Sequence, residues 1–303
     1  MTTIFHERNT TCATRHKAAV IGAFGFIGGQ LLRALSGDGI ECVGYTRSTP
    51  FLTDSGELDP GLADRDAIFW LASSIRPATA SGSDAAGADL EALAALLTQL
   101  DKNARHSVRV LAVSSGGTIY DTGYPPPYSE ESRVRPSNAY GEAMLAMETL
   151  LRDRWPNHVV LRASNAYGPG QPARRGQGVI AHWFDSVLRQ QPIRMIGDPD
   201  TRRDYLYVDD LVEALRSAAT ITEPADSGQI VNVGSGVGTS LRELAEAVEQ
   251  QTGRPVEIEQ SQARSFDAPS NWLSVSLAEK ALGWHPTTSL ESGLAATWRS
   301  LTM

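Results

Sequence analysis

The stretch AAVIGAFGFIGGQLLRALSGDG, residues 18–39, constrains this chain more than any other. AAVIGA is a short apolar run of strand character that ends in glycine, and FIGGQLLRALSGDG has helical spacing and stops at Gly37 and Gly39. A strand that passes through a glycine turn straight into a helix opens a β–α unit, and such units recur along the chain. ECVGYT (41–46), DAIFWLAS (66–73), SVRVLAVSS (107–115), HVVLRASNAYGPGQ (158–171) and GQIVNVGS (228–235) carry strands. Between and after them, DLEALAALLTQLDK (89–102), the run PSNAYGEAMLAMETLLRDRW around Tyr140, RRDYLYVDDLVEALRSA (202–218) and residues 240–252 carry helices. This alternation predicts an α/β fold with a doubly wound parallel sheet covered by helices on both faces. The pattern loosens after about residue 170, where Gly and Pro interrupt it, and a smaller second lobe is expected there.

Composition narrows the function. At 303 residues the chain has room for one large or two closely joined domains, and 41 % hydrophobic with 20 % charged residues is ordinary globular usage. A net charge of −8 with no basic patch argues against a nucleic-acid surface. No apolar run approaches the roughly 20 residues a bilayer requires, so no membrane partner is expected. The start MTTIFHERNTTCATRHK has no apolar core of a secretory signal, and residues 1–16 read as a flexible tail. Cys12 and Cys42 form no framework and the six histidines show no ligand spacing. A cytoplasmic chain without structural metal is the expectation.

The glycines Gly22, Gly25 and Gly28 follow the spacing G-x-x-G-x-x-G, not G-x-G-x-x-G. Without a Cβ the backbone can approach a pyrophosphate, and the helix N-terminus offers N–H groups and the positive end of its dipole. The turn therefore suits the diphosphate of NAD or NADP. The adenosine ribose of such a cofactor would meet the end of the second strand. An acid there holds the 2′-hydroxyl of NAD, and an arginine accepts the 2′-phosphate of NADP. Thr46 stands in that place and Arg47 follows, which favours NADP(H). The competing reading makes Arg47 a solvated surface charge.

At this level of detail the chain resembles the extended short-chain dehydrogenase/reductases that act on nucleotide-sugars, of the UDP-glucose 4-epimerase and sugar dehydratase type. The resemblance spans roughly residues 17–299 and is carried, in order, by GAFGFIG, FWLASSIRP, AVSSGGTIY, YGEAM, LRASNAYGPGQ, RRDYLYVDDL and EKALGWHPTTSLESGL. It implies a Rossmann-like cofactor domain of residues 17–170 with about 203–235. It also implies a nucleotide-sugar lobe of about 171–202 with 236–303. Gly22, Phe24, Gly25, Phe26, Ile27 and Gly28, then Thr46, Arg47, Leu71, Ala72 and Ser73, would border the cofactor. Tyr140 would contact it and shuttle a proton to or from a sugar hydroxyl. The family's serine or threonine falls four residues before Tyr120, where this chain has Gly116, so Ser115, or else Thr118, must serve, or the hydroxyl is absent. Asn165, Arg203 and Arg264 would hold the nucleotide diphosphate, guanidiniums being suited to forked bonds with phosphate. Val179 lies in the segment that would close over the base, and Asp267 would stand near the ribose or Arg264. The resemblance further implies a homodimer whose helices near 89–102 and 138–154 pair across the axis. Leu90, Leu93, Leu97, Leu100, Leu145, Met147, Leu150 and Leu151 would form the contact, although packing on the sheet explains them equally well.

Two residues depart from that pattern. Met144, one turn after Tyr140, stands where the family has a lysine that binds the nicotinamide ribose and lowers the tyrosine pKa. A cation about 5 Å away at an effective dielectric near 20 is worth roughly 3 kcal/mol, or about two pKa units. Without it Tyr140 should titrate near its ordinary value of about 10. Asp89 stands where relatives commonly carry Asn. A deliberately removed lysine, a divergent enzyme and a catalytically impaired binding protein all stay open as explanations of Met144. The leading expectation is a nucleotide-sugar epimerase working by transient hydride transfer, with an NADPH-dependent keto-sugar reductase as the alternative. A 4,6-dehydratase is disfavoured because SSGGTIY lacks an Asp-Glu pair.

Overall fold

The computed structural model describes residues 17–76, 85–173, 178–220, 229–263 and 270–303. In chain order its elements are β1 (Lys17–Ile21), α1 (Phe26–Gly37), β2 (Glu41–Tyr45), β3 (Ala67–Trp70), α2 (Ala85–Lys102), β4 (Arg109–Ser115) and α3 (Ala139–Arg154). These are followed by β5 (His158–Ala163), β6 (Asn165–Tyr167), α4 (Val179–Leu188), β7 (Ile193–Ile196), β8 (Arg202–Arg203), β9 (Tyr205–Tyr207) and α5 (Val208–Thr220). The last are β10 (Gln229–Val233), β11 (Thr239–Ser240), α6 (Leu241–Thr252), β12 (Ile258–Ser261), α7 (Ser276–Leu282) and α8 (Leu290–Thr302).

Six strands form one parallel sheet in the order β10-β5-β4-β3-β1-β2. Their near-continuous apolar runs follow from burial on both faces, and every residue of β5 is buried. On one face Leu31 and Leu35 of α1 and Leu211, Ala214 and Leu215 of α5 close a core. On the other, Leu93, Leu96, Leu97 and Leu100 of α2 and Met144, Met147 and Leu151 of α3 close a second. From β1 the chain moves outward to β2 and then returns past β1 to β3, so the direction of winding reverses there. Such a switch point opens a crevice beyond the carboxyl ends of the strands, where ligands of this architecture bind.

The remaining strands pair in twos, β6 with β9, β7 with β12 and β8 with β11. Trp183, Phe184, Ile193, Leu244 and Leu294 form their shared core. The stretch 158–171 reads as one strand-bearing segment in sequence but breaks at Ser164. Its backbone N–H still reaches Val233 on the big sheet, while Asn165 turns away to bond the carbonyl of Asp204. Residues 276–284 pack on the large sheet's side, where Ala278 and Trp284 join the core of α1 and α5, and the indole N–H of Trp284 donates to the Asp210 carbonyl at 2.9 Å.

Five of the eight apolar residues that suggested a subunit contact, Leu93, Leu97, Leu100, Met147 and Leu151, are buried within this one chain. Leu90, Leu145 and Leu150 are half-buried. Among the described residues no helix is long and apolar enough to cross a membrane, and no group of three or more His, Cys, Asp or Glu could hold a metal ion.

A charged network lies inside the sheet layer. The Arg162 guanidinium on β5 meets Glu148 of α3 through two bonds, Nε at 2.9 Å and Nη2 at 2.6 Å, and its Nη1 donates to the Tyr120 hydroxyl at 3.1 Å. Ser114 at the end of β4 donates to the same carboxylate at 2.6 Å, and Tyr120 donates to Asn232 of β10 at 2.6 Å. Both charged side chains are almost wholly buried, so each depends on the other. Glu148→Gln is expected to cost about 3–5 kcal/mol by stranding the Arg162 charge. Denaturant unfolding checks it; a loss below about 1 kcal/mol would mean that water or another anion already compensates Arg162.

Candidate active site

The crevice begins at the glycine turn. Gly22 has φ +94°, and a Cβ there would stand 2.7 Å from the backbone of Leu71 and Ala72. A Cβ on Gly28 would stand 2.2 Å from the Gly22 carbonyl, so α1 can start this close to β1 only without side chains. The turn thus brings together Gly22, Gly25, Gly28, Leu71 and Ala72. Gly25 caps α1 without a side-chain bond, and no acid lies in the first turn around Phe26 and Ile27. Backbone donors and the positive helix end are left facing the crevice, which fits a diphosphate. Phe24, at the tip of the turn, is 84 % exposed. Ser73 is exposed, its hydroxyl donating to the Ile75 carbonyl at 3.1 Å.

At the end of β2 the Thr46 hydroxyl is engaged by its own turn, 3.0 Å from the Ser48 hydroxyl and 2.9 Å from that of Thr49. Arg47 is exposed but held, its Nη2 donating to the Ser74 hydroxyl at 2.7 Å. Arg47 thus remains a surface charge with one side-chain bond.

Tyr140 sits in the first turn of α3. Asn138 caps that helix by accepting from the Gly141 N–H at 2.9 Å. A Cβ on Gly141 would be 2.5 Å from the Thr118 carbonyl, so the head of α3 presses directly on the loop after β4. The Thr118 hydroxyl is buried there with no hydrogen-bond partner in the protein. Ser115 is half-buried at the end of β4.

Gly116 faces a filled space. A Cβ there would lie 2.6 Å from Leu273 Cδ1, 3.0 Å from its Cδ2 and 3.1 Å from the Arg162 carbonyl. The Asn271 side chain donates to the carbonyls of Gly116 and Gly117 at 3.4 and 3.3 Å. A strap from residues 271–273 therefore clasps the turn, a contact that no motif in the sequence announces.

Met144 is buried among apolar neighbours, 7 % exposed. It lines a small cavity of ≈ 20 Å³ together with Trp70, Ser73, Ala143, Met147 and Asp89. The two departures from the family pattern thus share one cavity with room for about one water. The expectation that Tyr140 titrates near 10 needs correction. The residue is half-buried, and the protein packed around its phenol pushes the pKa up to about 12. Burial disfavours the phenolate, and no cation opposes that effect.

Asp204 is fully buried and accepts from the Ser164 hydroxyl, the Ser235 N–H and hydroxyl, and the N–H groups of Gly236 and Leu273, at 2.7–3.2 Å. Burial raises its pKa, while these donors favour the carboxylate. Its carbonyl receives both the backbone and side-chain N–H of Asn165, at 3.0 and 2.9 Å. Arg203 is the preceding residue and forms a β-bridge with Asn271. Asn165 and Arg203 are thereby brought together, and Val179, at the start of α4, packs against the cluster that includes Tyr205. Arg264 and Asp267 lie outside the described residues. The sequence reading missed Asp204, whose one signal is an acid set into an otherwise apolar strand run, DYLYV.

Residues 18–234 match the NAD dependent epimerase/dehydratase family. The chain belongs to that family. It is 36 % identical over 195 residues to a UDP-glucose 4-epimerase of Mycolicibacterium smegmatis, an alignment covering 62 % of this chain and 61 % of that protein. It is 32 % identical over 197 residues to a dTDP-4-dehydro-6-deoxyglucose reductase of Escherichia coli, covering 64 % and 61 %. The chain thus spans about three fifths of the length of these two relatives. A crystal structure of the Thermotoga maritima UDP-glucose 4-epimerase with UDP-glucose superposes with a TM-score of 0.81 at 27 % identity, covering 94 % of this chain and 98 % of that one. The six-stranded parallel sheet of this epimerase/dehydratase family member, with helices on both faces, accords with that match.

Met144→Lys is expected to lower the Tyr140 pKa from about 12 by about two units, since a cation within about 5 Å favours the phenolate. Tyrosinate absorbance read as a difference against Tyr140→Phe isolates this residue from the other tyrosines. An unchanged titration would mean that a lysine at 144 is neutralised, with the Asp89 carboxylate in the shared cavity as its partner.

Proposed function

We propose that this chain binds an NAD-type cofactor and a nucleoside-diphosphate sugar and inverts one sugar carbon as an epimerase. The observation that carries the reading is the head of α3. There Tyr140 opens the helix whose Gly141 presses on the backbone of Thr118, in a fold whose glycine turn lets backbone approach a dinucleotide. Ser115, half-buried at the end of β4, is the leading candidate hydroxyl. The Thr118 hydroxyl, buried with no partner in the protein, stands in reserve.

The cofactor, when bound, supplies the acceptor and return of hydride. The rest belongs to this chain. Tyr140 as phenolate removes the proton from a sugar hydroxyl and, as phenol, returns it. The Ser115 hydroxyl, or else that of Thr118, holds that sugar oxygen. Asn165 and Arg203, fixed by the backbone of Asp204, hold the diphosphate, with Val179 near the base and Arg264 and Asp267 as further expected contacts. The first lobe holds the cofactor and the second the sugar nucleotide. Arg47 favours NADP(H) over NAD(H), and with it the keto-sugar reductase as the second catalytic reading. A homodimer would use the half-buried Leu90, Leu145 and Leu150. The apolar setting of Met144 and the high Tyr140 pKa favour a different second reading, binding with little or no turnover.

Mass analysis of small molecules released on denaturation should find a nicotinamide dinucleotide and a nucleoside-diphosphate sugar. Turnover of such a sugar should be slow at pH 7, rise toward pH 9–10 as the Tyr140 phenolate forms, and vanish in Tyr140→Phe. Binding by both forms with turnover by neither, Met144→Lys included, would establish the non-catalytic reading. Arg203→Ala should weaken sugar-nucleotide binding by about 1.5–3 kcal/mol, the range for a charge-assisted bond, and leave cofactor affinity unchanged in calorimetry.

A further inference from the structure

Arg47 does not reach Ser74 by chance of surface packing. The Ser74 N–H donates to Asp89 Oδ2 at 2.6 Å and the Ser74 hydroxyl donates to Asp89 Oδ1 at 2.6 Å. With its hydrogen committed to the carboxylate, the Ser74 oxygen presents only lone pairs, and the Arg47 Nη2 donates to them at 2.7 Å. Three separate elements are joined in this way: the end of β2, the loop after β3 and the first part of α2. In the sheet β1 lies between β3 and β2, so the chain of bonds crosses over the carboxyl end of β1, beside the glycine turn.

We propose that Asp89 and Ser74 are positioning residues that set the Arg47 guanidinium across the adenosine end of the dinucleotide crevice, where it reads a phosphate on the adenosine 2′-hydroxyl. The proposal rests on the reading that this crevice takes a dinucleotide. A guanidinium carries five N–H donors in a planar fork, and one contact with Ser74 leaves the others for a ligand. An unrestrained exposed arginine loses rotamer freedom when it binds. Held by the Ser74 oxygen, Arg47 has lost part of that freedom before the ligand arrives, and its plane is fixed. Asp89 stays one residue removed from the phosphate, and its charge acts through Ser74. The second departure from the family pattern thereby acquires a physical reason, because a carboxylate accepts from both Ser74 donors, whereas an amide at 89 accepts with one end only.

The test uses 2′,5′-ADP against 5′-ADP, which reads the adenosine end without nicotinamide chemistry, by calorimetry on the full chain. The unmodified protein should prefer 2′,5′-ADP, and Arg47→Ala should abolish the preference. Ser74→Ala and Asp89→Asn should each reduce it about 3- to 10-fold by weakening 2′,5′-ADP alone, while Ser74→Thr, which keeps the hydroxyl, retains it. Thermal unfolding of each variant verifies that it is folded, and Asp89→Asn, nearly isosteric, stands if Ser74→Ala does not. If Arg47→Ala abolishes the preference but Ser74→Ala and Asp89→Asn leave it whole, the positioning role is overturned and the cofactor reading survives. If the unmodified protein binds both nucleotides equally, the 2′-phosphate reading falls and the proposal with it. If it binds neither, the dinucleotide crevice itself is refuted.

Discussion

The carboxylate of Asp204 is the interaction on which the junction of three chain segments depends. It lies where β5 ends, where β10 ends and where the 271–273 strap crosses, and a donor from each of these three segments ends on it. Gly234 has no side chain at the point of closest approach, where a Cβ would meet Asp204 Oδ2 at 2.5 Å. One residue to either side of Asp204 are Arg203 and Tyr205, so the strand carrying a proposed diphosphate ligand takes its place from the same anchor. Through the Leu273 N–H the anchor also fixes the side chain that fills the space beside Gly116. The floor of the proposed sugar site and the loop after β4 are therefore positioned together.

A second buried charge set does the corresponding work inside the first lobe. Glu148 lies two turns beyond Tyr140 on the same face of α3, with Met144 between them. By binding Arg162 of β5 and Ser114 of β4, Glu148 fixes how far along the sheet α3 can slide, and hence where Tyr140 stands at its head. The tyrosine is placed by charge pairing at one end of the helix and by the Asn138 cap at the other. Its own surroundings offer no charge. Placement and activation are separate at this site: Tyr140 is held at a fixed point at the head of α3, and no charge beside it eases its ionisation at neutral pH.

The alternation of strand and helix, the glycine turn and the helix bearing Tyr140 were all legible in the sequence, because each rests on local rules of period and steric size. The break at Ser164 was not. It arises from the competition of Val233 and Asp204 for neighbouring N–H groups, two partners far away in the chain. The raised pKa of Tyr140 was hidden for a related reason. Removing a cation from the sequence returns a tyrosine to its ordinary value only in water, and burial in the fold drives it higher. Met144 and Asp89 each stood out singly, and only the fold shows that they border one cavity. Arg47 read as a lone charge at a strand end because its partner Ser74 comes from the other side of β1.

The contact between Gly116 and Leu273 ties the chemistry available after β4 to the strap that crosses it. A Cβ at 116 would stand where the Leu273 methyl groups lie, with the Arg162 carbonyl behind it. A serine there therefore requires Leu273 to swing aside, which disturbs the small cluster it forms with Tyr120 and Tyr128. Which side chain the turn can carry is thus decided by a residue far along the chain.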